Sequence, residues 1–154
     1  AWHAGRAFWR GSSAVNARSI GIELVNPGHE LGYRDFSEPQ MAALEELVRG
    51  ILCRHPIPAL NILGHSDVAP SRKKDPGEKF DWRRLASAGI GLWPEEALAV
   101  GGDAEGLLAE IGYDTGNLAA AVAAFQRRYR QARVDGLADT ETVGLMAAVL
   151  ALDG

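Results

Sequence analysis

SIGIELVN, residues 19–26, sets Ile20, Ile22 and Leu24 on one side of an extended chain and Gly21, Glu23 and Val25 on the other. That alternation is the pattern of a half-buried strand. Pro27 and Gly28 end it, and a polar loop follows through Gly32 and Asp35. Ser37 to Gln40 reads as a capping box. Behind it Met41, Leu44, Leu47, Val48, Ile51 and Leu52 recur at helical spacing, predicting a helix that His55 and Pro56 close. ALNILG, residues 59–64, is a short apolar run suited to a buried strand that delivers His65 to its end. Strands exchanged with helices predict an α/β fold, in which the loops after strand ends are where sites are built.

The loop at that position is GHSDVAPSRKKDPG, residues 64–77. Pro70 and Pro76 stiffen the segment between His65 and Asp75, so two metal-competent side chains can meet there. Zinc accepts imidazole nitrogen and carboxylate oxygen, and a catalytic zinc keeps three protein ligands and a water. Spacing alone supplies two ligands, and equally fits a histidine hydrogen-bonded to its own loop. Glu23, opposite the isoleucines, is placed like a general base or like a residue of a solvated face. Lys73 offers charge for a developing oxyanion, or is a surface lysine in the basic triplet Arg72, Lys73, Lys74.

Asp81 can cap a short helix carrying Trp82, Leu85 and Ala86 that Gly89 stops. WPEEALAVGG, residues 93–102, has the proline and glycine pair of a linker. Beyond it three short amphipathic helices are expected: around Leu107, Leu108 and Ile111; from Leu118 through Val122 and Phe125 to Tyr129; and from Val143 through Met146 to Leu150. Of the 154 residues 47% are hydrophobic and 23% charged, a globular balance, and no run approaches the length of a spanning helix. The formal net charge of −4 argues against a nucleic-acid partner. Cys53 is the single cysteine, so no internal disulfide forms. The chain opens on Ala1, Trp2 and His3 with neither an initiator methionine nor signal-peptide character, and is expected to be a fragment or processed product.

In this order AWHAG with RAFWRG, SIGIELVN, GHSDVAP and RKKDPGEKFDW resemble the zinc-dependent N-acetylmuramoyl-L-alanine amidases of the type 2 family, relatives of the peptidoglycan-recognition proteins. The resemblance runs from residue 1 to about 94. It implies a mixed central sheet flanked by helices, lacking its N-terminal part, in a catalytic region 1–94. A linker 95–102 and a three-helix region 103–154 follow. It further implies that His65 and Asp75 are Zn2+ ligands, that Glu23 is the catalytic base, and that Lys73 steadies the tetrahedral intermediate. His3 is similar to a residue near the family's cleft and is a candidate for substrate contact. The family's first histidine ligand lies upstream of AWHAG, so the resemblance implies a separate N-terminal fragment that stays docked and completes the metal site.

LLAEIGYDTG, AVAAFQRRYR and DGLADTETVGLM resemble the peptidoglycan-binding type 1 module more loosely. Together these implications describe a hydrolase of peptidoglycan or muropeptides, cutting the amide between N-acetylmuramic acid and L-alanine. The periplasm is the expected location, with an outer-membrane anchor in the missing N-terminus. The alternatives are a non-catalytic peptidoglycan-recognition protein and a cytoplasmic amidase that recycles anhydro-muropeptides.

Overall fold

The structure, a computed structural model, describes residues 2–154. Its helices are α1 (Val15–Arg18), α2 (Glu38–Arg54), α3 (His65–Val68), α4 (Trp82–Ser87), α5 (Ala104–Ile111), α6 (Leu118–Tyr129) and α7 (Thr140–Asp153), with a 3-10 turn at Ala59–Asn61.

Two apolar clusters organise them. In the first, α2 buries Met41, Leu44 and Val48 against Phe80, Trp82, Leu85 and Ile90. Phe80 meets Phe36 and Trp82 edge to face, with ring centroids 5.2 and 4.7 Å apart, the arrangement aromatic quadrupoles favour. α4 starts where Asp81 accepts a hydrogen bond from the Arg84 amide at 2.9 Å. The second cluster joins α5, α6 and α7 through Leu108, Ile111, Val122, Phe125, Met146 and Val149. Asp103, Asn117 and Asp139 cap these helices, each accepting from an amide of the first turn. Gly144 is required in α7 because a Cβ there would meet the Leu98 carbonyl oxygen at 2.5 Å.

This second cluster reaches back to Ala4, Ala7, Trp9, Leu60 and Val68. Trp9 packs edge to face on Tyr113 at 5.1 Å and donates its indole N–H to Asn61 Oδ1 at 3.0 Å. The Arg10 amide donates to the Gly112 carbonyl at 2.9 Å. The C-terminal helices therefore pack directly against the start of the chain and against α3.

The expected α/β architecture, with its mixed central sheet, is not what forms. Among the described residues there is no strand, and the one pairing is an isolated bridge between Trp9 and Ser12. Residues 19–26 belong to neither helix nor strand, and Ile20 is 51% and Val25 85% exposed. Alternation marks a chain able to present two faces, whereas a strand also needs a neighbour to take its N–H and C=O groups. No described backbone segment supplies one. ALNILG bends into the 3-10 turn instead, with the Ile62 amide donating to the Ala59 carbonyl at 3.2 Å and Leu60 buried. Short apolar runs carry too little periodicity to separate the two outcomes.

Candidate active site

His65 is the first residue of α3, not the end of a strand. This single turn organises the loop after it. The Ser66 amide donates to the Asp75 carbonyl at 2.9 Å, and the Lys73 amide to the Ala69 carbonyl at 2.9 Å. The two limbs close tightly at Gly64, where a Cβ would lie 2.7 Å from Pro76 Cδ. Tyr33 braces the far limb by donating its hydroxyl to the Pro76 carbonyl at 2.7 Å. Burial pushes that phenol up to about 12.

His65 Nδ1 lies 2.9 Å from Asp75 Oδ2, and His65 Nε2 lies 3.1 Å from the Ala4 carbonyl. The same carbonyl accepts from Arg72 Nη2 at 2.8 Å. The hydrogen bond from His65 is the main cause that holds the Asp75 carboxyl below the usual aspartate range, against the opposing effect of its burial. A depressed carboxylate stabilises the fold above its unfolded pKa and loses that contribution as pH falls through the folded one. In the metal-free chain Asp75 is thus expected to titrate below an ordinary aspartate, and His65→Ala to return it upward. Carboxyl 13C shifts followed from pH 6 downward (about 6 to 2, spanning the aspartate range) check this; an unmoved Asp75 in the variant would remove His65 as the cause.

Glu23 sits in the 19–26 segment, exposed, and Lys73 is half-buried in the loop that follows α3. His3 is also half-buried; its amide donates to Asn16 Oδ1 at 3.0 Å and its Nε2 lies 2.8 Å from Ser19 Oγ. His3, Glu23, His65, Lys73 and Asp75 all line one cleft of about 630 Å³, whose floor is apolar and includes Phe80, Trp82 and Ile90.

Among the described residues no group of three or more His, Cys, Asp or Glu side chains is arranged to hold a metal. The pair His65 and Asp75 nevertheless suits zinc. One imidazole nitrogen and one carboxylate oxygen are donors it takes, and two such donors on one tetrahedral ion at about 2.0–2.1 Å stand about 3.3 Å apart. The observed 2.9 Å needs only a slight opening to match.

Sequence reading missed the residues behind this pair. Asp67, 1% exposed, accepts three hydrogen bonds: from the Gly64 amide at 2.8 Å, the Tyr113 hydroxyl at 2.7 Å and Arg128 Nη1 at 3.0 Å. Arg128, 2% exposed, also donates to the Ile62 carbonyl at 2.7 Å and lies over the Trp82 ring at 4.1 Å. Burial, with the charge of Asp67 beside it, pushes the Tyr113 hydroxyl well up. One signal was present: Val122, Phe125 and Arg128 step by three along α6, which puts a guanidinium in line with the apolar face.

The sequence model of the N-acetylmuramoyl-L-alanine amidase family matches residues 1–78. The chain belongs to that family. It is 36% identical over 174 residues to N-acetylmuramoyl-L-alanine amidase AmiD of Escherichia coli, a match covering 97% of this chain and 63% of AmiD. It is 42% identical over 85 residues to 1,6-anhydro-N-acetylmuramyl-L-alanine amidase AmpD of Enterobacter cloacae, covering 55% of this chain and 43% of that protein. Among solved structures, E. coli AmiD in complex with the substrate anhydro-N-acetylmuramic acid-L-Ala-D-gamma-Glu-L-Lys superposes with a TM-score of 0.87 at 35% identity, covering 98% of this chain and 68% of that one. AmpDh3 of Pseudomonas aeruginosa in complex with anhydromuramic pentapeptide gives 0.88 at 32% identity, covering 98% and 69%. The chain thus spans less than two thirds of the length of the AmiD and AmpD sequences it matches.

Proposed function

We propose that this chain carries the chemistry of an amidase that cuts the bond between the lactyl carbonyl of N-acetylmuramic acid and the nitrogen of L-alanine, in peptidoglycan or its anhydro-muropeptide fragments. The observation that carries this reading is the convergence of Glu23, His65, Lys73 and Asp75 on one cleft, in a family whose solved relatives hold anhydromuropeptides. In this proposal His65 and Asp75 are the residues that would hold zinc. A zinc ion so bound would acidify water and polarise the amide carbonyl.

The roles of the chain's own groups follow from their charge and place. The Glu23 carboxylate takes the proton that the attacking water loses, and returns it to the L-alanine nitrogen as the C–N bond breaks. The Lys73 ammonium offsets the negative charge that gathers on the carbonyl oxygen. His3 and the apolar floor of the cleft contact the sugar and peptide that flank the bond.

The C-terminal helices support a wall-binding role through their resemblance to the peptidoglycan-binding module, and with it a periplasmic location. The AmiD match runs through these helices, whereas the AmpD match covers 55% of the chain. The cytoplasmic recycling reading is kept as second because both solved relatives above hold anhydro-muropeptides. Release of stem peptide, measured on anhydro-muropeptide and on insoluble sacculi, tests all of this. Release should stop in a chelator and return with zinc. Turnover that persists in the chelator would sink the zinc assignment, and binding of muropeptide without release would leave a recognition protein. Cutting of the soluble fragment with no sedimentation on sacculi would favour recycling.

A further inference from the structure

We infer that Tyr113, just past the end of α5, and Arg128, on α6, are positioning residues for the His65–Asp75–Lys73 unit, acting through the buried carboxylate of Asp67. The inference rests on the metal-site reading above and deepens it: the three-helix region is part of the candidate active site's framework as well as a candidate wall-binding element.

The connections bracket His65 on both sides. Arg128 Nη1 donates to the Ile62 carbonyl at 2.7 Å, three residues before His65, and to Asp67 Oδ2 at 3.0 Å, two residues after it. Asp67 Oδ2 also accepts from the Gly64 amide at 2.8 Å, immediately before His65, while its Oδ1 accepts from the Tyr113 hydroxyl at 2.7 Å. From the same turn, the Ser66 amide fixes the Asp75 backbone and the Ala69 carbonyl fixes that of Lys73. A displacement of α3 therefore moves all three residues together. Among the described residues Arg128 Nε and Nη2 are buried without a hydrogen-bond partner. A guanidinium left partly unsatisfied in this way costs stability that an apolar residue would not, so stability alone does not account for an arginine here.

Tyr113→Phe removes one hydroxyl and leaves the Arg128–Asp67 pair in place, so the chain should fold. Gln126→Leu is the matched control: Gln126 is fully buried in the same bundle and bonds Asp135, Gly136, Leu137 and Thr142, none of them on α3. Amide hydrogen exchange and zinc affinity by chelator competition are the readouts. In Tyr113→Phe the Ser66 and Lys73 amides should exchange about tenfold faster relative to those of α2, as expected for loss of a buried hydrogen bond. Zinc should bind about 10–100-fold more weakly, the usual loss when a partner behind a metal ligand is removed. Gln126→Leu should lower the denaturation midpoint yet leave both readouts at wild-type values. Unchanged exchange at Ser66 and Lys73 in Tyr113→Phe, or equal acceleration in Gln126→Leu, overturns the inference. If the wild-type chain takes up no more zinc than His65→Ala, the metal reading fails, and the exchange comparison still decides the positioning claim.

Discussion

Glu23→Ala is expected to lower amidase turnover by about 10²–10⁴-fold, the range that a positioned general base contributes, while leaving folding and zinc uptake as they were. The side chain is exposed, and among the described residues it makes no hydrogen bond or ion pair. Truncating it removes no packing and strands no partner, so its stability cost should stay within about 0.5 kcal/mol. A carboxylate with no structural partner, facing a cleft shared with His65, Lys73 and Asp75, is free to accept a proton from water. Glu23→Gln should fall nearly as far, because shape without basicity does not serve. kcat/KM on an anhydro-muropeptide, metal content and a thermal melt together check this. Activity within tenfold of the wild type in both variants would take the base role away from Glu23.

Asp67→Ala is expected to destabilise the fold by about 3–5 kcal/mol, the usual cost of leaving a buried ion without its counter-ion. Among the described residues Arg128 has Asp67 as its one salt-bridge partner, and it is 2% exposed, with Trp82 and Tyr129 against its guanidinium. The aromatic faces attract the cation but accept no N–H as a carboxylate does. Tyr113 and the Gly64 amide lose a partner in the same step. Asp67→Leu combined with Arg128→Met should recover much of the loss, since removing both charges leaves no ion unpaired. Denaturant midpoints at constant slope measure both. A loss under about 1 kcal/mol for the single variant would mean that water reaches Arg128.

Helices were legible in the sequence because their signals are local. The stripe from Met41 to Ile51, the capping box at Ser37–Gln40 and the cap at Asp81 need no information from elsewhere in the chain. The predicted sheet failed for the converse reason: SIGIELVN has the right alternation, but pairing is a property of two segments, and no described segment pairs with it. His65, Lys73 and Asp75 were readable together because they lie close in sequence, His65 and Asp75 being ten positions apart. Alternation alone left Glu23 equally a residue of a solvated face, a motif resemblance joined it to the others, and the structure places it on the lining of the same cleft. Asp67, Tyr113 and Arg128 lay beyond such reading, being 46 and 61 residues apart along the chain. Composition along one helix can say that a charge lies near an apolar face, but not which carboxylate meets it.

The uneven tethering of the cleft has an energetic consequence. Its imidazole, aspartate and ammonium belong to one stiff turn, whereas from Ile20 to Leu24 the backbone carrying the carboxylate makes no hydrogen bond to described residues. Preorganisation is therefore lopsided: one wall of the cleft is braced by its own backbone hydrogen bonds, while each residue of the other that a substrate has to fix would cost about 1–2 kcal/mol of conformational entropy, drawn from the binding energy otherwise available for catalysis.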